Sequence, residues 1–303
     1  MELIPPNTKI DFMGNRRYAY IFSGLLILIS IASIPVMGKV QLGIDFTGGV
    51  MVQALFKKEA AVEDVRKCLT PLSGNLVIQK LSGGEGGEEY ILRMEVPEEG
   101  SGNFGHKVEQ ALAGKFGKDN VEIRGLEMVG PKVGHDLRQA AIWATVVALT
   151  LLLVYMAFRF TFSMGLGAVI CLVHDLIIVY GFFVWTGKEF NLTILAAMLT
   201  VVGYDVNDTI VLCDRIRDNL KSMRKKPLEE ILNASINQTL SRTILTSAFT
   251  LLVVIALLIF GTTVLRDFAW ALMIGMIFGT YSSIFVASPL VLALDRFLPV
   301  KRG

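Results

Sequence analysis

Two carboxylates, Asp205 and Asp208, stand three residues apart in a largely apolar stretch, with Asn207 between them. In a helix that spacing puts both acids on one face within a single turn. Arg242 follows Gln238-Thr-Leu-Ser at the start of another apolar stretch, and His174-Asp175 interrupts a third. An ionisable group inside a bilayer costs ~2.5–3.5 kcal/mol on insertion scales, so such groups face a bundle interior or a wet cavity and mark a functional path. Burial disfavours the charged form of a carboxyl and a nearby arginine favours it. A carboxylate held between those influences can gain and lose a proton as water reaches it from one side or the other. Asp208 stands ~12 Å along a helix from Ile216, and Arg242 ~9 Å from Ile236. Antiparallel neighbours joined at that end would bring the two to similar depth. The spacing thus predicts a titrating relay at Asp208 and Arg242, with Asp205, Asn207, His174 and Asp175 as a second tier. Asn207, Thr209 and the two carboxylates also offer oxygen ligands to Na⁺, so spacing leaves both ions open. Histidine, which titrates near neutrality, favours the proton. The competing role for these charges is a static buried pair kept for packing.

These residues need a membrane bundle to position them. Of 303 residues, 53% are hydrophobic and 18% charged, below the ~25% charged of soluble domains. Apolar runs long enough to cross ~30 Å of hydrocarbon cover Tyr18–Met37, Ala140–Phe158, Phe162–Trp185, Leu192–Ile216, Gln238–Phe260 and Leu265–Leu294. The polar 1–15 stretch ahead of a full-length span argues against a cleaved signal. One side of the bundle collects Lys9, Arg16, Arg17, Arg159, Arg215, Arg217, Lys221, Arg224, Lys225, Lys226, Arg296, Lys301 and Arg302. The short loops of the other side offer only Lys188 and Arg266. By the positive-inside rule both termini are cytoplasmic.

Three divisions follow: 1–38, the cytoplasmic N-terminus and first helix; 39–138, an external domain; 139–303, the remaining five helices with a basic cytoplasmic loop at 214–230. In the external domain, Val50–Lys57, Asn75–Leu81, Tyr90–Val96 and Val121–Met128 read as strands, and Ala60–Leu69 and Gly105–Phe116 as helices. The middle strands are joined through Gly83–Gly87, a flexible hairpin, and Glu98–Gly102 is a solvated loop. The order β-α-β-β-α-β is ferredoxin-like. The expected fold is therefore an α-helical integral membrane protein with six transmembrane helices and one α+β ferredoxin-like domain between helices 1 and 2. The 214–230 segment is an amphipathic connector, with docking to a cytoplasmic partner or anionic membrane lipids as its functional alternative. Small residues at Gly275, Gly279, Ser283 and Ala287, each four apart, offer a face for close helix packing.

No nucleotide signature is present, since Gly83–Gly87 lacks the Lys-Ser/Thr of a phosphate loop. No hydrolase arrangement stands out. Cys68, Cys171 and Cys213 are too few and too scattered for a disulfide framework or metal cluster. The chain reads as no enzyme, with no cofactor, no metal and no nucleic-acid partner. If work is done, an ion gradient must drive it.

Five stretches taken together carry a resemblance. They are Gly43-Ile-Asp-Phe-Thr-Gly-Gly49, His174-Asp175, Val202–Val211 with Asp214-Arg-Ile-Arg217, Gln238–Ser247 and Gly279–Pro289. The chain resembles the SecD–SecF family of bacterial protein-export membrane proteins, within the resistance–nodulation–division (RND) superfamily. The resemblance implies a six-span RND-type half in the inner membrane, with its external domain in the periplasm. It implies a part in late protein translocation driven by the proton-motive force. The implied partners are SecD, the SecYEG channel, YajC, SecA and the translocating unfolded polypeptide. It also implies that the family's intramembrane Asp and Arg fall on Asp208 and Arg242. One departure is visible: the family commonly has a small hydroxyl residue where this chain has Asp205. Two other readings compete, half of another RND-type exporter of lipids or small molecules, and a non-transporting scaffold of the channel.

Overall fold

Six helices are long and apolar enough to cross a membrane. The computed structural model describes residues 5, 8–38, 40–73, 76–81, 87–95 and 104–298. These fall into two units, one of residues 42–142 and one of the rest. The chain opens with helix α1 (Arg16–Met37).

In the smaller unit a single turn, α2 (Ile44–Thr47), leads into β1 (Gly49–Phe56), α3 (Val62–Leu69), β2 (Leu76–Leu81), β3 (Glu88–Met94), α4 (Phe104–Phe116) and β4 (Val121–Val129). The strands form one sheet in the order β2-β3-β1-β4, every neighbouring pair antiparallel. Period-2 alternation puts Val50, Val52, Ala54 and Phe56 of β1 with Tyr90, Leu92 and Met94 of β3 on one buried face. Val65 and Leu69 of α3 and Val108 and Leu112 of α4 complete that core. Most of the expected hairpin at 83–87 and the whole 98–102 loop lie outside the described residues.

The glycine pair before β1 is required by the backbone. Gly48 and Gly49 have φ of +74° and +133°, a region that costs other residues ~1–2 kcal/mol. A Cβ on Gly48 would also stand 2.7 Å from Pro131 Cα, and one on Gly49 2.6 Å from Met94 O. At the other end of the sheet, Glu88 accepts from Lys80 Nζ and from Ala60 N–H at 3.3 Å. The Tyr90 hydroxyl lies 2.8 Å from Glu88 Oε2 and 2.9 Å from Ala60 O. The lysine and tyrosine hydrogen bonds hold the Glu88 carboxyl below its usual range. Burial first, then the Glu88 bond, push the Tyr90 phenol up to about 12.

The larger unit holds most of α5 (Pro131–Arg159), then α6 (Phe162–Thr186), α7 (Leu192–Ser222), α8 (Leu228–Phe260) and a last span made of α9 (Thr263–Ser282), a π-helical turn (Ser283–Ala287) and α10 (Ser288–Leu294). The α6, α7 and last-span helices form the inside of the bundle, while α1, α5 and α8 leave most of their apolar surface open.

Three boundaries differ from the sequence expectation. Helix α5 starts at Pro131 rather than near 140; a proline in the first turn loses only an N–H that has no intrahelical partner. The 214–230 segment is helical at both ends, leaving only 223–227 as connector. At 31 and 33 residues, α7 and α8 are ~46 and ~50 Å long, more than a bilayer core needs. Side chains bridge the extra turns: Asn219 Nδ2 donates to Ser235 Oγ (2.9 Å) and Gln238 Oε1 (2.8 Å), and Arg215 Nε donates to Gln238 Oε1 (2.7 Å). The last span is interrupted by the π turn. Pro289 lacks an N–H and its ring excludes the carbonyl four residues earlier, so the helix widens just before it.

The segment ahead of α1 is clipped to α8. Asn237 takes both backbone groups of Ile10, at 2.9 Å each. One turn away, Asn233 accepts from Met13 N–H (2.9 Å) and donates to Asp11 Oδ1 (2.8 Å). Phe12 and Met13 are thereby buried, and the Phe12 ring meets Phe285 of the π turn edge-on at 5.4 Å.

Candidate functional site

The polar interior lies where α6, α7, α8 and α9 meet. Helix α9 reaches it by placing small residues at the contact. On α9, Gly275 faces Val201, whose Cγ2 would lie 2.4 Å from an added Cβ. Gly279 faces Asp205, whose Oδ1 would lie 1.9 Å from one. The small-residue stripe of the last span is therefore occupied within the chain, by α7 at its glycines and by Cys171 of α6 at Ala287.

Four groupings line this interior. On α6, His174 Nδ1 lies 2.8 Å from Asp175 Oδ1. Ser282, the residue just before the π turn, donates to Asp175 Oδ2 at 2.6 Å. All three are buried. Asp205, on α7, is 3% exposed, and neither of its carboxylate oxygens has a hydrogen-bond partner among the described residues. The charges that act on it are Asp175 and Asp208. Asp208, one turn further along α7, is 5% exposed. Arg242 of α8 is the cation whose field reaches it, and the Thr246 hydroxyl close by donates to the Arg242 and Thr243 carbonyls at 3.0 Å. Finally, the Tyr204 hydroxyl approaches Ser247 Oγ at 3.5 Å, and Ser247 shares a 2.7 Å bond with Thr280 Oγ1. This short hydroxyl chain crosses from α7 through α8 to α9.

The structure thus brings together Asp205, Asp208, Asp175 and His174, and sets Arg242 near Asp208. It does not bring in Asn207, which is exposed on the outer side of α7. Arg242 is likewise exposed along part of its length, as a long side chain reaching round the α7–α8 seam would be. Sequence reasoning missed Ser282, Thr246, Ser247, Thr280 and Tyr204. The available signal was position: Ser282 lies three residues after Gly279 on the last span. Among the described residues no group of three or more His, Cys, Asp or Glu is arranged to hold a metal ion.

The arrangement can hold a carboxyl in two protonation states, because one acid has a cation to receive its charge. The bundle around it is apolar, so water access would decide which state is occupied.

Comparison with known proteins bears on what that chemistry serves. The family described as protein export membrane protein SecD/SecF, C-terminal, matches residues 107–296, and the SecD/SecF GG motif matches residues 37–60. A protein translocase subunit SecF from Rhodothermus marinus is 42% identical over 303 aligned residues, covering 98% of this chain and 96% of the relative. The protein of that name from Magnetococcus marinus is 43% identical, covering 97% of this chain and 95% of the relative. The crystal structure of SecDF, a translocon-associated membrane protein from Thermus thermophilus, superposes with a TM-score of 0.86 at 37% identity. That match covers 97% of this chain but 40% of the SecDF chain.

Proposed function

The chain belongs to the SecD/SecF family of protein-export membrane proteins, and from that premise we propose that it is an accessory subunit of the bacterial Sec protein translocase, driven by an ion gradient. Its place is the inner membrane, with both termini cytoplasmic, and the 42–142 unit is a ferredoxin-like domain on the periplasmic side. The strand order β2-β3-β1-β4 with all pairs antiparallel supports that fold. Thirteen basic residues on one side of the bundle against two on the other support the orientation.

The observation that carries the reading is Asp208, buried in an apolar bundle with the Arg242 cation and the Thr246 hydroxyl as its neighbours. Such a carboxyl accepts a proton when water reaches it from the side of high proton activity. It releases the proton when access changes side and Arg242 again receives its charge. The two states differ by one charge inside the bundle, enough to bias a helix rearrangement. Movement passed to the periplasmic domain would then help a late-stage polypeptide leave the channel.

A partner half follows from the same surfaces. On α7, Ala196, Thr200, Gly203 and Asn207 form an exposed stripe of small and polar residues, and a Cβ on Gly203 would meet nothing within 4 Å. A polar amide facing lipid is unfavourable, so this face suits a second helix bundle, read here as SecD. The 40% coverage of the longer SecDF chain agrees with that reading. SecYEG, SecA, YajC and the crossing polypeptide complete the proposed assembly.

The test is gradient-stimulated protein export in membrane vesicles carrying Asp208→Asn. The variant keeps the side-chain volume and removes the titratable proton, so it should assemble normally and lose the response to the gradient. Full response from a normally assembled variant would reject ion coupling at Asp208 and favour a scaffold role.

A further inference from the structure

We propose that Asp205 is a second proton-carrying carboxyl of the bundle, loaded and unloaded beside the His174–Asp175–Ser282 cluster rather than at Arg242. This deepens the reading of the chain as an ion-driven subunit and rests on it.

Geometry separates the two acids. Asp208 has a cation and a hydroxyl for neighbours. Asp205, on the same helix, points at the α9 backbone where Gly279 has no side chain. The groups facing it can be named helix by helix. From α6 come Asp175, which His174 contacts on its other side, and Cys171, whose thiol lies close enough to feel the Asp205 charge. From its own helix comes Asp208. From α9 come Gly279 and Ser282, neither of which carries charge. The charged groups acting on Asp205 are thus both acids.

The Ser282 hydroxyl proton, the nearest donor on α9, already serves Asp175 Oδ2 at 2.6 Å. Asp175 therefore has donors for both oxygens, and Asp205 has one for neither. A buried carboxylate with no donor and no counter-charge cannot persist as the bare anion. Two carboxyls acting on one another do not both ionise in a dry site. Asp175, with its donors, keeps the negative charge and Asp205 keeps a proton. That proton comes from water and returns to water when the α6–α7–α9 seam opens; no other bond is made or broken. His174 Nε2 is likewise buried without a partner among the described residues, a second unmet polar atom at the same cluster.

Infrared spectroscopy of the full chain, purified with its membrane partner in mild detergent at neutral pH, tests this directly. The carbonyl-stretch band of a protonated, buried carboxyl should be present, lost in Asp205→Asn and retained in Asp208→Asn. Should Asp205→Asn fail to assemble, Asp205→Glu keeps the carboxyl and should shift the band rather than abolish it. Vesicles carrying Asp205→Asn should lose most of the gradient-stimulated export. A band untouched by either substitution at 205, or one that appears only when sodium is withdrawn, overturns the assignment. Full gradient response in Asp205→Asn overturns it as well. Because the band is read without any export assay, its loss in Asp205→Asn together with full export in Asp208→Asn would sink the Asp208 reading while leaving the proton on Asp205.

Discussion

Charge balance around Asp208 makes a prediction that isolates Arg242. Removing one partner of a buried pair leaves the other uncompensated, at ~3–5 kcal/mol for a fully buried pair. Arg242 is exposed along part of its length, so Arg242→Met should cost at most ~3 kcal/mol and lower the amount of assembled complex. The double variant Asp208→Asn with Arg242→Met should recover that amount, read on blots of the solubilised complex, while export stays unresponsive to the gradient. Equal abundance of single and double variants would mean the two charges do not interact. In the smaller unit, Glu88 supplies a pH test. Its folded carboxyl lies below the unfolded value of ~4.3, so its contribution is present above that value and fades as pH falls through the folded one. Tyr90 has the opposite sign: its contribution holds below ~10 and is lost as pH rises toward about 12. Protection of β2 and β3 amides from hydrogen exchange in the whole chain, relative to their intrinsic rates, should weaken on acidification, and Glu88→Gln should remove most of that dependence.

Among the elements, the last span shows where sequence was legible and where it was not. Its length, its small-residue stripe and the acids on the neighbouring helix could all be read, because charges and glycines inside apolar runs are rare and conspicuous. Its π turn could not. Pro289 announces a disturbed helix, but whether the disturbance becomes a kink or a widened turn depends on what packs on it, here Phe12 from the distant N-terminal segment. Ser282 was invisible for a related reason: a serine in a helix usually bonds its own backbone, and only the fold aims it at Asp175. The 214–230 segment was misread because charge implies solvent but not the absence of helix. The glycines predict specific failures. Gly279→Ala would put a methyl group 1.9 Å from Asp205 Oδ1 and should force α7 and α9 apart, lowering the thermal midpoint of the bundle by several degrees. Gly48→Ala, at φ +74°, should destabilise the smaller unit by at least ~1–2 kcal/mol, measurable as faster exchange in β1 and β4.

For the molecule as a whole, orientation and partnership each make a prediction. In a background lacking the native cysteines, Lys118→Cys should react with an impermeant thiol reagent from outside intact cells, and Lys225→Cys only after permeabilisation. The reverse pattern would invert the topology. Bulky substitution on the exposed α7 face, such as Gly203→Leu, should leave this chain folded but unable to retain a larger six-span partner through purification. Co-purification unchanged would place the partner on another face. The clip between the N-terminal segment and α8 has a temporal consequence. Its hydrogen bonds join residues 220 and 227 positions apart, so this segment must wait for more than two hundred further residues to be made before its docking asparagines exist. Phe12 also waits for Phe285, which its ring meets. During synthesis, insertion of the first helix and closure of the bundle are therefore separate events, and the second comes last.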